Sequence, residues 1–150
     1  MRAVLFRPEI AGNVGAVMRL GACLGVAVDL IEPLGFAWDD KRVRRTAMDY
    51  VDHVAVRRHA DFGAFAATLE DSRLILLTTA GDTPLYEFAF QPGDAVIFGN
   101  ESSGVTADVA ARCDAKLRIP IRVEVRSFNL AIAAALALGE ALRQTETLPA

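Results

Sequence analysis

Apolar residues along this chain fall into short runs, each closed by glycine, proline or a cluster of polar residues. Ala3 to Phe6 is the first run and reads as a buried strand stopped by Pro8. Val14, Val17, Met18 and Leu24 then recur at helical spacing, with Asn13 as the expected cap and Gly25 as the stop. Ala27 to Ile31 reads as a second strand, closed by Glu32-Pro33-Leu34-Gly35. His53 to Val56 is a short strand candidate that leads into Arg57, Arg58 and His59. Phe62, Phe65 and Leu69 share one side of a helix predicted over Asp61 to Leu69. Buried strands are predicted at Leu74 to Thr79, Ala95 to Phe98 and Leu117 to Ile119, the last stopped by Pro120. Pro84 to Pro92 reads as loop, and a helix is predicted from Thr106 to Arg112.

Strands alternating with helices imply an α/β fold, with a single-domain, mainly parallel sheet flanked by helices over residues 1–150. Three strands end in polar loops containing glycine or proline. If adjacent, they would place Thr79, Gly99 and Pro120 around one cleft. The last element, Phe128 to Gln144, carries Leu130, Ile132, Leu136, Leu138 and Leu142 on no single stripe. A helix apolar on all sides is buried. A terminal helix in so short a chain is then expected to be covered by a second surface, which points to a homodimer.

Composition narrows the function classes. A chain that is 53% hydrophobic is not disordered, and its net charge of −3 excludes nonspecific nucleic-acid binding over the whole surface. It leaves room for a local basic patch. Cys23 and Cys113 lack metal-ligand spacing and read as reduced thiols of a cytoplasmic protein. No run approaches the roughly 20 apolar residues that cross a bilayer, so no membrane association is expected.

The most informative stretch is Val96-Ile97-Phe98-Gly99-Asn100-Glu101-Ser102-Ser103-Gly104. An apolar run ends in two glycines bracketing a polar, acidic turn, and ligands of open α/β sheets sit at such strand ends. The spacing from Gly99 to Gly104 imitates a P-loop, but Val105 stands where that motif needs lysine. The dinucleotide fingerprint is also absent, which weakens a nicotinamide-dependent reading. Asn13-x-Gly15-x-x-x-Arg19 reads either as a helix cap with a surface arginine or as a helix start aimed at an anion. Glu101 is either a solvated acid or a cap for a nearby helix, and Ser127-Phe128-Asn129 precedes the last helix as a cap. Lys41, Arg42, Arg44 and Arg45 are either a solvated face or, with Arg57, Arg58, His59, Trp38 and Tyr50, an RNA footprint. His53 and His59 have no metal-ligand partner spacing.

Three segments together resemble the SpoU-type branch of the SPOUT superfamily of RNA 2′-O-methyltransferases. They are Asn13-Val14-Gly15 with Arg19, the segment Phe98 to Gly104, and Arg118-Ile119-Pro120-Ile121 followed by Arg126-Ser127-Phe128-Asn129-Leu130. Pro8-Glu9-Ile10, Leu30 to Phe36, Trp38 to Arg42 and Asp49-Tyr50 are similar to the subgroup that acts on nucleotide 34 of tRNA. The resemblance implies S-adenosylmethionine as methyl donor, no metal, a C-terminal trefoil knot and an obligate homodimer. It also implies methylation of the wobble nucleotide in the anticodon stem-loop of leucine tRNAs. Leu77, Thr78, Gly99, Ile119, Ser127 and Leu130 are implied to hold the donor. Arg19, Asn13, Glu101, Ser127 and Asn129 are implied to act in catalysis or to organise the site, and Lys41, Arg42, Arg44 and Arg45 to contact RNA. Two positions depart from the subgroup. Asn100 replaces a usual proline, which is expected to loosen its turn, and Gly139 replaces a tyrosine associated with the dimer contact. The alternatives are a 2′-O-methyltransferase for another tRNA or ribosomal nucleotide and a catalytically silent RNA-binding module.

Overall fold

The computed structural model describes residues 1–39, 41, 45 and 48–150. Seven strands form one sheet: β1 (Arg2–Phe6), β2 (Ala27–Ile31), β3 (Val56–His59), β4 (Leu74–Leu77), β5 (Thr83–Pro84), β6 (Ala95–Phe98) and β7 (Ala115–Arg118). Their spatial order is β3-β2-β1-β6-β4-β7-β5, and every pairing is parallel. Strands buried on both faces read as continuous apolar runs, and β6, Ala-Val-Ile-Phe, is buried at all four positions. The register aligns Leu5 with Phe98, Phe98 with Leu77, and Leu77 with Leu117. Residues just beyond these positions therefore emerge side by side at one edge of the sheet. β6, β4 and β7 are neighbours, as the cleft expectation required.

One face of the sheet is covered by α1 (Ala11–Leu24) and, near the C-terminus, by a helix over Leu130–Gln144. The other face carries α2 (Phe62–Ala66) and α3 (Ala107–Ala111), whose Phe62, Phe65 and Val109 pack on Val4, Phe6, Ile31 and Ile97. The helix over Leu130–Gln144 is α4. Gly25 ends α1 with φ 68°, a left-handed conformation that glycine takes at no steric cost. Asp61 caps α2 by accepting from the Ala64 N–H at 2.8 Å. Among the described residues no helix is long and apolar enough to cross a membrane.

Several sequence expectations are corrected. The third strand is Val56–His59, not His53–Val56, and Met48–His53 is a 3₁₀ turn. β3 is an edge strand with an open flank, so it tolerates Arg57 and Arg58; His59 is drawn inside by Asp29, 2.7 Å away. Leu85–Glu87 within the predicted loop forms a 3₁₀ turn after the short β5. Asn13 does not cap α1: the helix begins at Ala11, and Asn13 lies within its first turn. Nor is α4 buried on all sides within one chain. It buries Ala134, Ala137, Leu138, Ala141 and Leu142, while Ile132 on its outer side is 53% exposed.

Candidate active site

A cleft of about 690 Å³ opens at the carboxyl edge of β6, β4 and β7. Leu77, Thr78, Gly99, Ile119, Ser127 and Leu130 all line it, together with Asn13, Glu101 and Asn129. Its floor and walls come from strand ends that the parallel register sets side by side. Its mouth is closed by the segment from Ile119 to Asn129, which leads into α4.

The turn after β6 is held by its own polar groups. Asn100 and Gly104 exchange backbone hydrogen bonds at 2.9 Å each. A Cβ at position 99 would lie 2.6 Å from Gly104 backbone atoms, so only glycine fits that closure. The Asn100 carboxamide donates to the Arg7 carbonyl at 2.7 Å and accepts from the N–H groups of Ser102 and Ser103 at 3.0 Å. The expected loosening at Asn100 is therefore not observed: its side chain pins the turn that a proline would have stiffened.

Glu101, like Asn100 and Ser102 beside it, reaches the segment after β1. Its carboxylate accepts from the Glu9 N–H at 2.8 Å, the Ile10 N–H at 3.3 Å and the Asn13 side-chain amide at 3.1 Å. Ile10 is the residue that starts α1, and it offers no capping side chain of its own. Glu101 supplies the missing acceptor and places negative charge at the positive end of the helix. The chain of contacts continues. Asn13 accepts from the Asn129 amide at 2.9 Å, and the Asn129 oxygen caps α4 by accepting from the N–H groups of Ala131 and Ile132. Ser102 adds a hydrogen bond to the Glu9 carboxylate at 2.6 Å. Three distant segments thus share one network, with Glu101 as its hub. Three N–H donors hold the Glu101 carboxylate and tie the turn after β6 to the start of α1.

A second close crossing shapes the far wall. A Cβ on Gly81 would stand 2.3 Å from the Leu117 carbonyl carbon, and Arg118 bonds the carbonyls of Gly81 and Asp82 at 3.0 and 2.6 Å. The chain after β4 therefore lies directly against the end of β7.

Arg19 is not brought to this cleft. It projects from the exposed side of α1, with its guanidinium 4.9 Å above the Tyr50 ring. Lys41 and Arg45 are exposed, whereas Arg42 and Arg44 lie outside the described residues. Two cleft residues went unread as candidates in the sequence: Arg126, which lines the mouth, and Asn100. Arg126 adjoins the recognised Ser127-Phe128-Asn129, so its place next to a cap was the available signal. Burial among apolar neighbours pushes the Cys113 thiol up to about 11, so it is an unreactive packing residue. Among the described residues no group of side chains could hold a metal ion.

The chain is similar in sequence and fold to known proteins. The SpoU rRNA Methylase family profile matches residues 1–139. A tRNA (cytidine(34)-2′-O)-methyltransferase from Beijerinckia indica subsp. indica is 47% identical over 146 residues, covering 96% of this chain and 91% of the relative. A solved structure described as giving structural insights into the 2-OH methylation of C/U34 on tRNA superposes with a TM-score of 0.91 at 42% identity, covering 95% of this chain and 94% of that one. The SpoU methyltransferase AviRb from Streptomyces viridochromogenes, solved in complex with AdoMet, superposes with a TM-score of 0.87 at 25% identity, over 96% of this chain and 57% of that one. Matched over residues 1–139 and 47% identical to the Beijerinckia indica relative, this chain belongs to the SpoU methylase family.

Proposed function

We propose that this protein transfers a methyl group from S-adenosylmethionine to the ribose 2′-oxygen of the wobble nucleotide, cytidine or modified uridine 34, of leucine tRNAs. It does so in the cytoplasm and as a homodimer. The observation that carries the reading is the cleft itself: a glycine-closed turn and a capped helix start converge on one cavity at the carboxyl edge of a parallel sheet. Its relatives' names supply the tRNA and the position of the target.

The residues present fit a nucleoside-bearing donor. Leu77, Ile119 and Leu130 offer apolar surface, while the backbone around Thr78 and Gly99 and the Ser127 hydroxyl offer polar contacts. The donor, when bound, supplies an activated methyl group on a positively charged sulfur, so the protein's task is alignment and proton management. Glu101, Asn13 and Asn129 hold the cleft walls at fixed separation. Their anion is balanced by N–H dipoles and not by a cation, which favours a positively charged ligand.

Arg19 is the residue we assign to the acceptor oxygen or its phosphate. A guanidinium stays protonated, so it stabilises developing negative charge and does not remove the proton. Because Arg19 does not line its own cleft, it serves the cleft of a second copy. The exposed side of α4 around Ile132 fits such an association. The trefoil knot is inferred from the resemblance and from the close crossing of Gly81 on Leu117.

The direct test is to map 2′-O-methyl groups in cellular RNA with and without the protein. Loss confined to tRNA position 34 is expected; loss at another nucleotide would reassign the substrate. Arg19→Ala should reduce turnover by about 100-fold or more while leaving S-adenosylmethionine affinity unchanged by calorimetry. Mixing Arg19→Ala with Glu101→Ala should raise activity above that of either variant alone, because one cleft of the mixed dimer then has both residues. No increase would return Arg19 to its own chain.

A further inference from the structure

Trp38 is the chain's sole tryptophan and lies half-buried against the core on the α1 side of the sheet. The Arg58 guanidinium sits 4.9 Å above its ring. Glu32 fixes that arginine: Nε donates to the carboxylate at 2.7 Å, and a terminal nitrogen pairs with the same oxygen. Arg58 is nevertheless 43% exposed. An exposed cation–π pair stabilises a fold only slightly, so the arrangement has little to do for stability alone. It leaves a flat guanidinium, layered on an indole, facing solvent. Glu32 takes N–H donors along one edge, which holds the guanidinium plane over the indole.

The platform stands on the same edge of the sheet as the cleft. Arg58 is in the last half of β3, and only β2 and β1 separate β3 from β6, about 14 Å at three strand spacings. The loop leading to Trp38 is also latched to the cleft rim. Gly35 donates to the Pro8 carbonyl at 2.9 Å and packs against Glu9, whose own N–H reaches Glu101. An RNA strand with one nucleotide in the cleft would carry a near neighbour across this platform.

We propose that the Trp38–Arg58–Glu32 set is a stacking site for a nucleobase flanking the target nucleotide in the tRNA anticodon loop. Bases of single-stranded RNA are bound by stacking on aromatic rings and arginine planes. This rests on the tRNA-methyltransferase reading above.

The test uses an anticodon stem-loop and a set of copies each lacking one loop base. One abasic site outside position 34 should weaken binding to the unaltered protein by about 5- to 100-fold. The same abasic site should cost nothing further in Arg58→Ala or Trp38→Ala. Arg58→Lys should not rescue, since an ammonium has no flat face, whereas Trp38→Phe should rescue in part. S-adenosylmethionine affinity should hold in Arg58→Ala, and the melting temperature should shift only slightly, since a half-exposed ion pair and cation–π contact contribute little to stability. Trp38 fluorescence should change on saturation with the intact stem-loop and not with the uncoupled abasic one. If every abasic site costs the same in the unaltered protein and in Arg58→Ala, the platform is wrong while the methyltransferase reading stands. If the unaltered protein methylates no tRNA, both fall.

Discussion

The buried strands around Asp29 and the cleft around Glu101 hold their carboxylates in different ways. Asp29, fully buried in the middle of β2, accepts from Arg2 at the amino edge through two contacts of 2.8 Å, with His59 at 2.7 Å. Asp94 meets Arg73 there at 2.7 and 2.9 Å, and Asp114 accepts from the Leu74 N–H. At the carboxyl edge, among the described residues, Glu101 is met by backbone and amide N–H groups. Ion pairs neutralise charge and fill space; a carboxylate held by dipoles keeps its charge and leaves a cavity beside it. Strength of holding and availability for chemistry are thus separated along one set of strands.

The sharpest break in that contrast is expected from Asp29→Ala. Arg2 and His59 would be left without their shared acceptor in a buried site, at a cost of about 3–5 kcal/mol. Urea denaturation should show the loss, while turnover per folded molecule stays at the level of the unaltered protein. Reduced turnover in the folded fraction would mean the two regions are coupled.

Glu101→Ala should invert the pattern. Its stability cost is about 1–3 kcal/mol, from three donors losing one acceptor. Turnover should fall about 10- to 100-fold, because the turn after β6 and the starts of α1 and α4 lose their common anchor. Steady-state kinetics alongside denaturation separates the two effects. Unchanged kinetics in a folded Glu101→Ala protein would remove Glu101 from the site.

The smallest effect concerns the far end of α4. The Arg143 hydrogen bond, helped by Gln144, lowers the Glu140 carboxyl to about 2. A depressed carboxyl contributes stability that is complete above its ordinary value near 4.5 and is lost as pH falls toward 2. Gln144 in turn holds Phe88 and Phe90, so acid should loosen that segment first. Glu140→Gln should flatten the acid limb of the stability profile in this window; an unchanged limb would place acid sensitivity at other carboxylates.

Much of this could be read from the chain. Ala95–Phe98 was legible to the residue, because a strand buried on both faces has no polar position to confuse its limits, and Ala27–Ile31 was legible despite its buried Asp29. The Gly25 stop and the Asn129 cap were legible because both are local chemistry. β3 was misplaced because its arginines make sense only at a sheet edge, and edge position is a property of the whole topology. Thr78, Gly99, Ile119 and Leu130 gather in one cleft because parallel register aligns strand ends far apart in sequence.

Glu101 shows the limit most plainly. On its own it read as a solvated acid or a cap for some helix nearby, yet the helix it caps begins 90 residues earlier. Asn13 read as that helix's cap, and it is instead a link between Glu101 and Asn129. The sequence by itself determined where strands, turns and glycines must fall, since periodicity and backbone sterics act over a few residues. Only the tertiary structure decided which of those ends meet, since a hydrogen bond between distant segments depends on where the sheet has already carried them.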